Sequence, residues 1–260
     1  MKHIAITILV LSSFASVFGQ TKMIINQYNG TADSILLSAI KSITFKTTGI
    51  SQDSLVAYYP LNGNANDSSG KGNNGTPTNV TYVTGHQGLA AQFTSTSYIN
   101  VADNASFDFS NATGLTISTW IRQENATAGY IIEKDGPAVL TDDEYFINIS
   151  STGQLQGAFT SKSGNSTPHQ TISSKSKLTL NIWYNVVLTW KSNGVISFYI
   201  NGILDDTVSS TVTSIQNTTI PLGIGNDNAH TQGFPGSIDE VYIYKRALSD
   251  VEIQALYNGQ

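Results

Sequence analysis

Phe234-Pro-Gly-Ser-Ile-Asp239-Glu-Val-Tyr-Ile-Tyr244-Lys-Arg-Ala-Leu-Ser249-Asp-Val-Glu252-Ile-Gln-Ala-Leu-Tyr257 is the stretch around which the chain is organised. From about Ser237 to Tyr244 it is β-branched and aromatic, which suits a pleated, well-buried strand. A short helix follows at once. Ser249 is its N-cap, Glu252 completes a capping box, and Leu248 and Ile253 sit where a hydrophobic staple packs. Gly259 stands after the last apolar position, as a C-terminal stop. Asp239 is out of keeping with the rest. It shares strand parity with Val241 and Ile243, so in a strand without a bulge it faces the side they bury. A carboxylate in that position needs a partner.

The same residues carry a resemblance. Phe234, Gly236, Ile238-Asp239-Glu240-Val241, Ile243-Tyr244 and Arg246-Ala247-Leu248-Ser249 resemble the closing signature of bacterial laminin-G-like domains in the concanavalin A-like lectin/glucanase superfamily. Leu55-Val-Ala-Tyr-Tyr-Pro-Leu-Asn-Gly-Asn-Ala-Asn-Asp67-Ser-Ser-Gly-Lys-Gly-Asn-Asn-Gly75-Thr resembles the opening one. The two stand in the right order, about one domain apart, and the resemblance covers residues 54–260. It implies a two-sheet jelly-roll sandwich that often binds calcium, and it implies much less about function.

The strand pattern agrees. Short runs at residues 56–61, 90–93, 98–101, 115–122, 130–134, 145–150, 155–160, 183–191, 195–201, 203–208 and 220–224 read as strands between turn-rich loops. Asn193-Gly194 turns the clearest hairpin, in which Val186, Leu188 and Trp190 share one face, as do Ile196, Phe198 and Ile200. We therefore expect an all-β fold. Together with the resemblance, the expectation is a two-sheet jelly-roll sandwich of concanavalin A-like type, with a short C-terminal helix and a small N-terminal β-rich segment.

Residues 1–19 read as a signal peptide. Lys2 and His3 precede an apolar run from Ile4 to Val17, and Val17-Phe18-Gly19 makes a small-residue cleavage site before Gln20. Residues 20–50 form a short β-rich leader with a hairpin signal at Asn29-Gly30, and residues 51–260 form the main domain. Charged residues make up only 12% of the chain and the net charge is -5, so there is no basic footprint for nucleic acid. The expected localisation is secreted or at the cell surface. No membrane span is expected once the signal peptide is removed. There are no cysteines, so no disulfide supports the fold.

The loop Asn62 to Thr76 is dense in oxygen ligands, the donor type that calcium prefers. The resemblance implies that Asp67 and Asp239 meet across a structural calcium ion, with Asn64 adding an oxygen. The other reading is an Asn- and Gly-rich turn, with Asp239 bonded to backbone amides. For a ligand, the loop Gly223 to Gly233 offers Asn226, Asp227 and His230. In this superfamily such loops flank the glycan-binding face. Trp120, Trp183 and Trp190 are conceivable sugar platforms. Parity puts Trp190 in the core and leaves Trp120 open.

A glycosidase needs two carboxylates at a fixed separation. Glu133-Lys134-Asp135 resembles the first part of the Glu-x-Asp-x-x-Glu motif of related glucanases, but Pro137 and Ala138 stand where the third acid belongs. Asp142-Asp143-Glu144 reads as a solvated acidic loop. The Asn-x-Ser/Thr triplets at Asn66, Asn74, Asn104, Asn148 and Asn217 read as turns. The expected function is a non-catalytic, lectin-like module that binds a glycan or polysaccharide. The alternative is an adhesion module for an extracellular protein, and a glycoside hydrolase comes third.

Overall fold

The computed structural model describes residues 22–26, 32–36, 51–136, 144–161 and 169–259. The signal-peptide reading, the Asn29-Gly30 turn, Pro137, Ala138, Asp142 and Asp143 lie outside them. The chain divides into two units, Met1–Thr48 and Gly49–Gln260. In the first, β1 (Lys22–Asn26) and β2 (Ala32–Leu36) pair antiparallel, with Lys22 opposite Leu36 and Asn26 opposite Ala32.

The second unit is a sandwich of two antiparallel sheets. One has seven strands. Its strands are, in spatial order, β12 (His169–Lys177), β11 (Gln154–Thr160), β10 (Tyr145–Ile149), β9 (Gly129–Lys134), β16 (Leu222–Ile224), β7 (Tyr98–Val101) and β4 (Gly75–Thr78). The other has eight strands and runs β15 (Ile203–Ser209), β14 (Val195–Ile200), β13 (Tyr184–Lys191), β8 (Gly114–Gln123), β17 (Gly236–Tyr244), β6 (Leu89–Gln92) and β5 (Thr81–Thr84). Its eighth strand, β3 (Leu55–Tyr59), pairs with the second half of β17, whose first half pairs with β6. The closing strand thus holds three neighbours at once. It runs so close to β8 that a side chain at Gly236 would collide with the Arg122 carbonyl.

Three strands carry no strong apolar signal. In β12 only Ile172 and Ser174 are buried, β4 contains Pro77, and β5 is partly exposed throughout. All three lie at sheet edges, where one missing ladder partner is tolerated.

The core fills the space between the sheets. From the eight-stranded sheet come Leu115, Ile117 and Ile121, Val186, Leu188 and Trp190, Ile196 and Phe198, and Val241 and Ile243. Ile131, Ile147, Leu155 and Phe159 enter from the other sheet. Trp190 is fully buried and donates its indole N–H to Val212 O at 2.8 Å, so it is a core residue.

The helix α1 (Asp250–Tyr257) lies elsewhere. Ser249 and Glu252 form the expected capping box, and Ile253 with Leu248 joins Leu55, Val187, Tyr199 and Tyr244 in a second apolar cluster. Val187 and Tyr244 have the opposite strand parity to Val186 and Ile243. The helix therefore covers part of the outer face of the eight-stranded sheet and leaves the rest open.

Of the acidic run only Glu144 is among the described residues, and it departs from expectation. Glu144 is not solvated: its side chain has no exposure, and it pairs with the equally buried Lys134 at 2.8 Å. Its Oε1 also accepts from the Thr218 N–H and hydroxyl. Lys134 is further paired with Asp103 at 3.0 Å and donates to Ile220 O. A buried amine is retained only with such partners.

Candidate binding cleft

The site begins with a bulge. Asp239 stands opposite Trp120 and Tyr242 opposite Ser118, so β17 takes three steps where β8 takes two. Glu240 is the extra residue and sits at φ 53°, a left-handed conformation rare for a residue with a Cβ. This overturns the expected facing of Asp239. The bulge breaks the alternation, so Asp239 shares a face with Trp120 on the outside of the sheet, while Val241 and Ile243 stay in the core.

Two rows of side chains then cross the outer face. Asn185, Trp120 and Asp239 stand in register on β13, β8 and β17. Val187, Ser118, Tyr242 and Tyr58 stand in register on β13, β8, β17 and β3. Side chains directly opposite each other in a ladder touch. The Tyr58 and Tyr242 rings stack at 4.2 Å and 8°, with Tyr244 6.3 Å beyond Tyr242. Trp120 is stacked by His86 at 3.4 Å and by Tyr257, from the end of the helix, at 5.6 Å.

Between these groups is a cleft of about 750 Å³, lined by Tyr58, Tyr242, Trp120, Tyr257, Glu240 and Asn185 among others. His86 reaches it from the turn Gly85 to Gly88, where Gly88 has φ 68° and a side chain would strike Asn62.

The buried unpartnered polar atoms of the residues lining this cleft are acceptors. Glu240 Oε2 accepts from the Tyr58 and Tyr242 hydroxyls at 2.8 and 2.9 Å, and its Oε1 has no partner. Asn185 spends its amide N–H groups weakly on Ser118 Oγ and Thr119 O, at 3.4 and 3.5 Å, and its Oδ1 has none. Asp239 is fully buried. Its Oδ2 accepts from Gln87 N at 2.9 Å, and its Oδ1 is unpartnered. Burial, with a smaller push from the Glu240 charge, raises the Asp239 carboxyl to about 7. Burial likewise raises Glu240 and lifts the Tyr58 hydroxyl to about 12, while it lowers His86.

Of the residues singled out from sequence, only Trp120 lines this cleft. Asn226 is buried. Its amide donates to Ser95 O and Ser97 O, and its Oδ1 accepts from two backbone N–H groups. Asp227 accepts from Thr231 N, the Thr231 hydroxyl and Gln232 N. Both hold their own loop. His230 is exposed and stacks on Tyr98 at 3.7 Å. Glu133 accepts from Asn228 N at 3.0 Å, which ties the motif Glu133-Lys134-Asp135 into the fold.

Two of the residues expected at calcium are engaged within their own loop and neighbouring strand. Asp67 Oδ1 accepts from Tyr58 N and Ser69 N, and Oδ2 from the Ser69 hydroxyl and Asn73 N. Burial acts to raise this carboxyl, but those hydrogen bonds outweigh it and hold it below its usual range. Asn64 Oδ1 accepts from Asn66 N at 2.9 Å. The donors aimed at both residues fit the Asn- and Gly-rich turn reading. Asp67 and Asp239 share no hydrogen bond. Among the described residues no three His, Asp or Glu side chains group to hold a metal. Of the three expected ligands, Asp239 alone has a side-chain oxygen free of hydrogen bonds.

Tyr58, Tyr242, Tyr257, His86, Glu240 and Asn185 escaped the sequence reading. A signal existed for one of them: Tyr242 recurs with Tyr244 at period two on the side of the closing strand opposite Val241 and Ile243. The bulge that adds Glu240 to that face has no such signal.

A family model described as "Concanavalin A-like lectin/glucanases superfamily" matches residues 93–254. No curated protein matches the sequence. Several solved structures share the fold. The binding domain of Paraclostridial Mosquitocidal Protein 1 is 23% identical, with a TM-score of 0.66 over 80% of this chain and 52% of that one. Domain 4 of AbnA, a GH43 extracellular arabinanase from Geobacillus stearothermophilus, solved with arabinotriose, is 20% identical. Its TM-score is 0.58 over 78% of this chain and 98% of that one. The binding domain of Botulinum Neurotoxin DC, solved with SialylT, is 21% identical, with a TM-score of 0.59 over 80% of this chain and 52% of that one. The chain thus spans about half the length of these toxin binding domains.

Proposed function

Because the chain belongs to the concanavalin A-like lectin/glucanases superfamily, we propose that it is an extracellular glycan-binding module whose site is the cleft on the outer face of the eight-stranded sheet. The observation that carries this reading is the pairing of aromatic rings with a polar, acceptor-rich lining in one cleft of the described residues. Sugar rings have apolar faces that pack on aromatic side chains, and their hydroxyls donate to carboxyl and amide oxygens. Buried acceptors without donors cost free energy, and a hydroxyl-rich ligand supplies those donors. The solved structures with arabinotriose and with SialylT support binding of a glycan by related folds.

Export fits the same role, with residues 1–19 as the signal peptide. A calcium ion is proposed at Asp239 and not at Asp67 or Asn64, in a structural capacity. No catalytic step is assigned. Glu133 is engaged by Asn228 N, and the cleft residues are read as binding groups.

The test is a glycan array probed with the exported chain and with Tyr257→Ala. Tyr257 is half-buried at the helix end, so its loss removes a wall of the cleft with little cost to the core. Truncating a stacking residue at a binding site costs more than about 1 kcal/mol, or roughly fivefold in affinity. We expect a defined set of glycans to bind the parent chain and to weaken by at least that factor in Tyr257→Ala. Equal binding by both would place the site elsewhere, with the Tyr98–His230 pair the next candidate.

A further inference from the structure

We propose that the cleft selects sugars bearing a free, protonated amine, with the ammonium group seated against Glu240 among Tyr58, Tyr242, Trp120 and Tyr257. This rests on the glycan-binding reading above and names the class of sugar.

Charge gives the first reason. Among the described residues no Lys or Arg lines the cleft, while the carboxyl groups of Glu240 and the adjacent Asp239 lie at it or beneath it. His86 is the one lining side chain able to gain a positive charge, and burial lowers its pKa and so favours its neutral form. Sialic and uronic acids would bring a second anion to this surface with no lining Lys or Arg of the described residues to meet it.

The hydrogen-bond inventory gives the second. Glu240 Oε1 and Asn185 Oδ1 both lack donors, and the two residues are 5% and 1% exposed. The Tyr58 and Tyr242 hydroxyls fix Glu240 through Oε2, which leaves Oε1 for a guest. An ammonium has three N–H donors and no acceptor of its own. An N-acetyl group removes the charge and adds a carbonyl acceptor, so it fits this lining less well.

The rings give the third. An alkylammonium beside aromatic rings gains from the negative π faces, and more so where water is excluded. Five tyrosine and tryptophan side chains, Tyr58, Trp120, Tyr242, Tyr244 and Tyr257, line the cleft around one carboxylate.

The test is calorimetric titration of the full chain with three tetrasaccharides of the same β-1,4 linkage. These are the glucosamine tetramer, the N-acetylglucosamine tetramer and cellotetraose, and each is measured on the parent chain and on Glu240→Gln. The expected result is that the glucosamine tetramer binds the parent at least about tenfold more tightly than the other two, and that Glu240→Gln erases the preference. Cellotetraose or the acetylated tetramer binding as tightly as the amine would overturn the amine assignment and leave the glycan reading standing. So would a preference that survives Glu240→Gln in a variant with an unchanged melting midpoint. Should Glu240→Gln fail to fold, the ranking of the three ligands on the parent chain decides. If none of the three binds, the amine assignment falls, and the glycan array decides the glycan reading separately.

Discussion

Trp120 and Asp239 stand directly opposite each other across the β8–β17 ladder, and the next residue, Glu240, is the bulge that puts them on one face. A regular strand would have sent Asp239 into the core beside Val241 and Ile243. The extra residue instead delivers two carboxyl groups to the outer face, next to the Tyr58–Tyr242 stack. Bulges recur where a side chain must be re-aimed at a site. Here the re-aimed groups are the acidic ones.

Asp239 makes the fold sensitive to pH. Its folded value of about 7 lies above the value of about 3.9 for an unfolded carboxyl, so the native state holds an extra proton between them. Its contribution is full below about pH 4 and is lost as pH rises through about 7. The loss is at most about 4 kcal/mol. Asp239→Asn should flatten that part of the stability profile, as read from denaturant midpoints between pH 4 and 8. A profile with the same slope in both proteins would put the titrating group elsewhere.

Calcium should act through the same residue. At pH 8, with free ion a hundredfold above its dissociation constant, binding to the native state alone adds about 2.7 kcal/mol. The melting midpoint should rise with calcium and fall with chelator. Asp239→Asn should abolish the response, and Asp67→Asn should retain it at a lower baseline. A response lost with Asp67 instead would restore the shared site expected from the sequence.

Glu144 carries the buried amine of Lys134. Glu144→Gln should destabilise by about 3 kcal/mol or more, because it leaves an ammonium with reduced compensation in a dry site. Asp103 remains as a partner, which keeps the loss toward the lower end of the usual range. Urea denaturation measures it. A change under 1 kcal/mol would mean that Lys134 can discharge or reach water.

At the other end of the chain, Ile253→Ala should cost about 2–5 kcal/mol and loosen the helix from the outer face. Ser249→Ala should cost about 1 kcal/mol through the lost cap. The Arg246 guanidinium, with help from Ser249, holds Glu252 down at about 2. That contribution is present above about pH 4 and is lost only as pH falls through about 2. Helical circular dichroism followed against pH reports both effects.

The architecture was legible in the sequence because its signals are local. Val186, Leu188 and Trp190 alternate cleanly, and Ser249 with Glu252 announces a helix start that needs nothing from the rest of the chain. The edge strands β4, β5 and β12 were not legible, since a strand with one solvated face and one missing neighbour needs little apolar periodicity. The site was legible only at Trp120. Tyr58, Tyr242 and Asn185 come together through register across β3, β17, β8 and β13, which is long-range information. Glu240 joins them through a left-handed backbone turn that its residue type does not suggest. Asn226 and Asp227 looked like ligand groups because loop-holding and ligand-holding side chains are the same residue types.

The most direct test compares two sets of substitutions on the tightest glycan found by array screening, read as the dissociation constant by calorimetry. Trp120→Ala and Tyr257→Ala should each weaken binding at least about fivefold. The pair Asp227→Ala and His230→Ala should leave the constant within about twofold, whatever it costs the loop in stability. Binding lost in the Asp227 and His230 pair and kept in the Trp120 and Tyr257 variants would contradict the cleft as the site.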